Sequence, residues 1–210
     1  MKTIQSAMVL GLVVLFSLGC KKEPINNLSE EESRIYITDH DSTINFSNFH
    51  TFNVSDSVAV IQNGGEFHRL NATDSAYVDA VKNLMQSMGY VYVAKDQNPD
   101  LGITVNRILS TSTGVISYGS YWDYYASYWD PFYWGFPGYG YGMPYGYAVY
   151  QITEGAVSVD MVDLKDAGNS GKLNIIWTGL IRGSGIYNPD VAQSQVKALF
   201  DQSSYLNKSL

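Results

Sequence analysis

Hydrophobic residues recur at two spacings along this chain, and each spacing predicts a kind of element. Short alternating or β-branched runs predict strands, and apolar residues three or four positions apart predict helices. The strands are expected near residues 34–37, 51–54, 90–94, 101–110, 156–164 and 173–181. One helix is expected between a cap at Asn71 or Thr73 and a stop at Gly89, and a second is expected to begin at Asn188.

The apolar faces of these elements predict how they pack. The first helix carries its stripe at Tyr77, Ala80, Val81, Leu84, Met85 and Met88, and the second at Val191, Val196, Leu199 and Phe200. Residues 156–164 place Val157 and Met161 on one face and Asp160 on the other, and a turn joins this run to a strand with Trp177 in its middle. The pattern predicts an α+β fold, with two helices packed on one face of a mainly antiparallel sheet. Trp177 is expected to be buried against the first helix.

A segment without any periodicity interrupts this pattern. Residues 118–150 hold eleven of the 17 tyrosines and three of the four tryptophans, and glycine and proline break any regular element. We predict a long Gly/Tyr/Trp-rich insertion between strands, at about residues 115–152. At least part of it is expected to be exposed, because the rest of the chain does not obviously supply partners for so many rings. The sheet is expected to form without it.

Three interpretations of this insertion remain open on the sequence. It is a mobile connection, since the entropy of loop closure grows slowly with length; or a contact surface for another envelope protein, for itself or for the lipid interface; or a sugar-stacking platform. The residues predicted to form the interaction surface are Tyr121, Trp122, Tyr125, Trp129, Phe132, Trp134 and Tyr139.

The first twenty residues have the form of a lipoprotein signal. Lys2 is followed by an apolar run too short for a comfortable membrane span, and then by Gly19 and Cys20. A small residue before a thiol that can be acylated is typical of such signals, although Ser17 stands where leucine is commoner. We predict a signal peptide at residues 1–19, an acylated Cys20 with a polar tether over 20–32, and one domain over 33–210.

Composition excludes several classes of function. The formal net charge is −7, and it becomes −8 without Lys2, so nucleic-acid binding is disfavoured. Cys20 is the only cysteine, and its acylation leaves no thiol for a disulfide, a nucleophile or a metal site. The fold is therefore expected to depend on packing alone.

No catalytic, metal or cofactor site is predicted. His40, His50 and His68 form no close metal pair, and the run from Asp39 to Asp41 reads as a charged turn rather than a cation site. The glycines precede no helix in a phosphate-binding pattern. Asp160 and Asp163 are predicted to point to opposite faces of their strand, which favours structural roles over paired acid/base work.

Three pieces of the chain together resemble a family of bacterial envelope lipoproteins built on one conserved domain of unknown function. They are NFSNFHTF at 45–52, NPDL at 98–101, and TEGAVSVDMVD at 153–163 followed by IWTG at 176–179. In that family a Gly/aromatic insertion often precedes the third piece. Thr178 departs from the pattern, which tends to have a basic residue after tryptophan. The resemblance implies location and fold, and it supplies no catalytic residues.

The resulting hypothesis is a palmitate-bearing lipoprotein anchored to the bacterial outer membrane, facing the periplasm or the exterior. It is expected to be a non-enzymatic structural or protein-interaction module, with another envelope protein or a second copy as partner. The alternative is an envelope lipoprotein that binds a ligand or glycan through the aromatic segment or a pocket near it.

Overall fold

The computed structural model describes residues 28–61, 66–68, 70–109, 116–117, 125, 128–143, 145–146, 151–152 and 155–208. The strands are β1 Ile35–His40, β2 Thr51–Val54, β3 Val58–Ile61, β4 Glu66–His68, β5 Val91–Tyr92, β6 Leu101–Ile108, β7 Ile116–Ser117, β8 Gly140–Gly142, β9 Gln151–Ile152, β10 Ala156–Asp163 and β11 Lys172–Arg182. The helices are α1 Ala72–Ser87, the single turn α2 Ala167–Ser170 and α3 Ala192–Asp201. Within these ranges, no helix is long and apolar enough to cross a membrane.

Nine of the strands form one sheet, whose main order is β1-β11-β10-β6-β2-β5. The pairs β1/β11, β11/β10 and β10/β6 are antiparallel, whereas β2, β3 and β8 add parallel pairs at the margins. The predicted α+β class and the β10/β11 hairpin are thus confirmed. The connection between those two strands contains α2, where the sequence predicted only a turn.

Helix α1 begins and ends where its sequence signals lie. The Asn71 side chain accepts a hydrogen bond from the Asp74 backbone N–H at 2.8 Å, and the Asp74 carboxylate accepts one from the Asn71 N–H at 3.3 Å. This reciprocal cap satisfies two backbone donors that the helix itself leaves free. Past the C-terminus, Gly89 adopts φ 95°, a conformation that favours glycine.

One face of the sheet packs against both long helices. Tyr77, Val81 and Met85 of α1 join Val196 and Leu199 of α3 in a single buried cluster with the sheet. The strand residues in this cluster include Ile103, Val105, Val157, Val159, Met161 and Ile181. The predicted placement of two helices on one face is therefore confirmed, and we call this side the helix face.

Trp177 is fully buried on the helix face, as predicted, and its ring packs against Phe200 of α3. Its ring centroid lies 4.9 Å from that of Phe200, and its indole N–H donates to the Ser203 hydroxyl at 3.0 Å. A bulge in the pairing with β10 places Ile176 in the same cluster as Trp177. Met85 of α1 belongs to the same buried cluster, but the contacts with Phe200 and Ser203 were not predicted, because spacing alone does not say which helix lies over which strand.

The opposite face of the sheet is covered by the insertion. Tyr125 together with residues 128–143, which we call the aromatic cap, forms a second buried cluster with side chains of β3, β6, β10 and β11. Three further details departed from expectation. A β3/β4 hairpin, which the sequence did not predict, precedes α1. Strand β1 continues through Asp39 and His40, and the predicted strand at 90–94 contracts to β5.

Candidate interaction surface

The aromatic cap is organised by one tight turn, the 3-10 helix Pro131–Trp134. The carboxylate of Asp130 accepts a hydrogen bond from the Phe132 N–H at 2.8 Å, and Pro131 occupies the first position, where no N–H is needed. Gly135 ends the turn with φ 88° and donates its N–H to the Phe132 carbonyl at 3.0 Å. Successive rings of this turn therefore point in different, fixed directions.

The inner side of the cap is part of the protein core. Tyr125, Tyr128, Trp129 and Trp134 are all buried. The ring of Trp134 lies so close to Gly102 of β6 that a methyl group there would come within 3.0 Å of two ring carbons. The prediction that Tyr125, Trp129 and Trp134 belong to an interaction surface is thus wrong, because the second face of the sheet supplies partners that bury their rings. The expectation that at least part of the segment is exposed holds elsewhere, at Phe132. That the sheet forms without the segment stays a prediction.

Polar side chains form the middle of the sheet face beneath the cap. This polar floor consists of Thr104, Asn106, Ser158, Asp160 and Thr178, all buried. Asp160 lies directly between Thr104 and Thr178 in the pairing, and its carboxylate accepts hydrogen bonds from Asn106 at 2.8 Å and Ser158 at 3.2 Å. These bonds are consistent with the structural role predicted for Asp160.

The cap is hydrogen-bonded to this floor. The indole N–H of Trp129 donates to the Asn106 side-chain oxygen at 2.6 Å, and the Tyr125 hydroxyl lies 3.2 Å from the Thr104 hydroxyl. Sequence reasoning missed Asn106 and Thr104, whose alternation with apolar residues is equally typical of a solvent-facing strand. The aromatic segment, with its indole and phenol donors, was the one signal that such polar groups could be covered.

The outer side of the cap presents rings and a proline to solvent. Phe132 is 70% exposed, more than any other large hydrophobic side chain in the described ranges. Pro137 is exposed, and the half-buried rings of Phe136 and Tyr139 lie 5.5 Å apart between centroids. Such a patch on a fixed backbone is typical of a contact surface.

Tyr133 fixes the cap to the neighbouring loops. Its hydroxyl donates to the Asp56 carboxylate at 2.9 Å and accepts from the Asp56 N–H at 3.1 Å, while the Lys95 ammonium lies 4.1 Å from the ring centroid. Burial away from water raises the pKa of the Tyr133 hydroxyl, so the phenol remains a neutral donor at physiological pH. The cap is therefore held at its edge as well as beneath.

The seven predicted surface residues separate into three groups. Phe132 is exposed and Tyr139 is half-buried, so both lie where a partner could touch them. The other described members, Tyr125, Trp129 and Trp134, are core residues in this structure. Tyr121 and Trp122 lie outside the described residues, as does the predicted lipidation site Cys20.

The other predicted motifs occupy structural positions. Asp39 and His40 belong to β1, and the His40 ring stacks on Tyr205 at 4.2 Å between centroids. The carboxylate of Asp100 accepts from the backbone N–H groups of His50 at 2.6 Å and Thr51 at 3.1 Å, which joins the NPDL and NFSNFHTF segments. Among the described residues, no group of three or more His, Cys, Asp or Glu could hold a metal ion.

Comparison with known proteins identifies one family. Residues 37–203 match DUF4136, described as a domain of unknown function. The chain is similar to a DUF4136 family protein from Bacteroides thetaiotaomicron, at 30% identity and a TM-score of 0.68 over 83% of this chain and 98% of that one. A PDZ domain protein from Parabacteroides distasonis aligns at 12% identity and a TM-score of 0.45, over 82% of this chain and 36% of that one. No curated protein matches the chain.

Proposed function

This chain belongs to the DUF4136 family, a domain of unknown function, and we propose that it is a lipid-anchored, non-enzymatic interaction module of the bacterial outer membrane. The anchor is the acylated Cys20, as the signal-like sequence before it indicates. The partner is another envelope protein, which contacts the outer side of the aromatic cap. The role is non-enzymatic because the sequence pairs no nucleophile with a base, and the buried aspartates of β10 are engaged in structural hydrogen bonds.

The exposed ring of Phe132 carries this proposal. The turn that carries Phe132 is fixed at its start by the hydrogen bond to the Asp130 carboxylate, and two residues after Phe132 by the buried ring of Trp134. A ring presented on a rigid backbone loses little conformational freedom when a partner binds it. Aromatic side chains that enter a partner's pocket also dominate interface energetics. The geometry thus favours a protein partner with an apolar pocket, rather than a mobile segment without a role.

Replacing Phe132 tests the surface. The acylated full-length protein is used to capture partners from its native envelope, with Phe132→Ser compared against Val91→Ser, a change at a 58% exposed side chain on β5. We expect Phe132→Ser to weaken capture at least about tenfold, a loss of about 1.4 kcal/mol. Val91→Ser should capture as the wild type does. Equal capture by both variants contradicts the proposed surface.

Replacing Cys20 tests the anchor separately. Cys20→Ser should abolish labelling by a fatty-acid probe and leave the protein unprocessed or soluble, because no other thiol is present in the chain. The control is Ser17→Leu, which brings the signal closer to the common pattern and should preserve labelling. Labelling that persists in Cys20→Ser would refute the lipoprotein assignment without affecting the surface.

A further inference from the structure

A concave feature lies away from the aromatic cap, at the edge of the sheet where β10 ends. It is a cleft of about 420 Å³ between the loop that follows β1 and the loop that leads into α2. The first loop contributes Thr43, Ile44 and Asn48, and the second contributes Asp166, next to Asp163 at the end of β10. Its volume falls within the range typical of small-molecule sites.

Contacts between the two loops hold the walls of this cleft together. The Lys165 ammonium crosses from the second loop to donate to the Asn48 backbone carbonyl at 2.6 Å, and it lies 4.0 Å from the Asp100 carboxylate. Asp163 accepts from the Asp166 backbone N–H at 2.9 Å, which fixes the start of the second loop. The cleft is therefore preformed and needs no large rearrangement to receive a ligand.

Several polar groups on its walls retain hydrogen-bonding capacity. The Asn48 side-chain amide makes no hydrogen bond within the described ranges, so both its donor and its acceptor sides are available. The Thr43 hydroxyl donates to Asp41 at 2.7 Å and keeps its acceptor lone pairs. One oxygen of Asp166 accepts from Asn169 at 3.1 Å, which leaves the carboxylate further acceptor sites. The half-buried Ile44 and the buried Phe49 supply apolar lining.

The charges and the polar groups that line the cleft favour some classes of ligand over others. A phosphate or carboxylate ligand would meet two carboxylates, Asp163 and Asp166, and a single lysine, whose ammonium already donates to the Asn48 carbonyl and lies 4.0 Å from Asp100. Burial raises the pKa of Asp163, and the nearby carboxylates of Asp166 and Asp100 add to this, which marks the site as unfavourable for further negative charge. An apolar ligand would cover these polar groups without pairing them, at a cost of about 1–3 kcal/mol each.

We propose that this cleft binds a neutral, hydroxyl-rich ligand of the saccharide class, with the Asn48 amide and the Asp166 carboxylate hydrogen-bonding to its hydroxyl groups. Sugar hydroxyls both donate and accept, which matches amide and carboxylate partners together, and the C–H face of a sugar ring suits the apolar lining. The cleft has its own residues and does not depend on the protein partner proposed for the cap.

Saturation-transfer NMR on the full-length chain tests this assignment. The probes are glucose and N-acetylglucosamine, with galacturonate as the anionic counterpart, and the detergent carries no sugar headgroup. We expect transfer to the two neutral sugars with an affinity of about 1 mM, as suits a partly open cleft, and much weaker transfer to galacturonate. Absence of transfer to both neutral sugars, or transfer that favours galacturonate, overturns the proposal.

Two exposed positions locate the binding. Asn48→Ala and Asp166→Ala should each weaken saccharide binding about tenfold, the effect of losing a hydrogen bond worth about 1.4 kcal/mol. Gln193→Ala, at an exposed position on α3, should bind as the wild type does. Thermal melting of each variant verifies that it is folded. Unchanged binding in both cleft variants, or loss of binding in Phe132→Ser instead, overturns the assignment to this cleft.

Discussion

The two faces of the central sheet are buried by different means. The helix face is covered by α1 and α3, whose apolar residues recur at helical spacing and meet apolar strand residues. The cap face is covered by a segment with no period, and the strand residues beneath its centre are polar. The centre of each face is nonetheless closed to water: Trp177 on the helix face is 0% exposed and Trp129 on the cap face is 1% exposed.

This difference shows that periodicity reports regular structure and not burial. Ser158 and Asp160 alternate with apolar residues along β10, as they would on a solvent-facing strand, yet both are buried. Their burial is tolerated because neighbouring side chains pair them, and because Trp129 brings an indole donor to Asn106. A polar strand face is therefore an interior face whenever the covering segment supplies matching donors and acceptors.

The largest loss of stability is expected from replacing either of the two buried tryptophans, one on each face. Trp177→Ala and Trp129→Ala should each lower the free energy of unfolding by about 3–5 kcal/mol, the usual cost of removing a large core ring. In addition, Trp129→Ala leaves the buried Asn106 oxygen without its indole donor. Chemical denaturation followed by far-UV circular dichroism measures both changes.

Phe132→Ala is the control for this pair, because its ring belongs to the same segment but is exposed. It should change the unfolding free energy by no more than about 0.5 kcal/mol. A Trp129→Ala variant as stable as that control would mean that the cap is peripheral, as its sequence first suggested, and that the helix face alone holds the fold.

The helix face is also the part that the sequence predicts best. Helix α1 begins after Asn71 and ends before Gly89, as predicted, because an N-terminal cap and a left-handed C-terminal glycine act locally. The apolar face of α1 is likewise visible within a few helical turns of sequence. The failures have long-range causes. Pairing with β11 extends β1 through Asp39 and His40, whose polar side chains favour a turn in isolation, and only the assembled sheet brings Trp177 to α3.

The candidate surface was predicted as a set of rings but not ring by ring. Composition places the aromatic residues in one segment, yet it does not say which of them face the sheet. The local signals that orient them were present: Asp130 and Pro131 start a turn, and Gly135 ends it. What no local signal gives is the polar floor, since Thr104 and Asn106 come from β6, Ser158 and Asp160 from β10, and Thr178 from β11.

A smaller test asks how tightly the cap is packed on its face. Gly102→Ala should destabilise the protein by about 1–3 kcal/mol, because the added methyl group would meet the Trp134 ring at 3.0 Å and the Leu164 side chain at 3.1 Å. Gly140→Ala is the matched control within β8, where nothing lies within 4 Å of an added methyl group. Thermal melting and near-UV circular dichroism compare the two. Equal effects would mean that the cap moves aside readily and is not packed like the helix face.

The smallest expected effect on stability comes from Asp163, the second aspartate of β10. Asp160 lies beneath the cap among side-chain donors, whereas Asp163 lies at the strand end, beside the cleft. Burial raises the pKa of Asp163 from its ordinary value of 3.8, although hydrogen bonds from the Asp166 and Lys165 backbones oppose the shift. The folded state therefore holds this proton more tightly than the unfolded state does. This contribution to stability is present below pH 3.8 and is lost as the pH rises through the folded-state pKa.

It follows that Asp163→Asn should slightly raise the melting temperature at pH 7, because the variant avoids burying a charge and its amide oxygen can still accept from the Asp166 N–H. The gain should shrink below pH 3.8, where the wild-type carboxyl is itself neutral. Asp79→Asn, at an exposed position on α1, should show no such pH-dependent gain. Scanning calorimetry across this pH range makes the measurement. If Asp163→Asn is instead destabilised at pH 7, the hydrogen-bond donors around Asp163 stabilise its charged carboxylate by more than burial costs. The two aspartates of β10 would then both be stabilised by their hydrogen bonds, and the difference between the two ends of the strand would disappear.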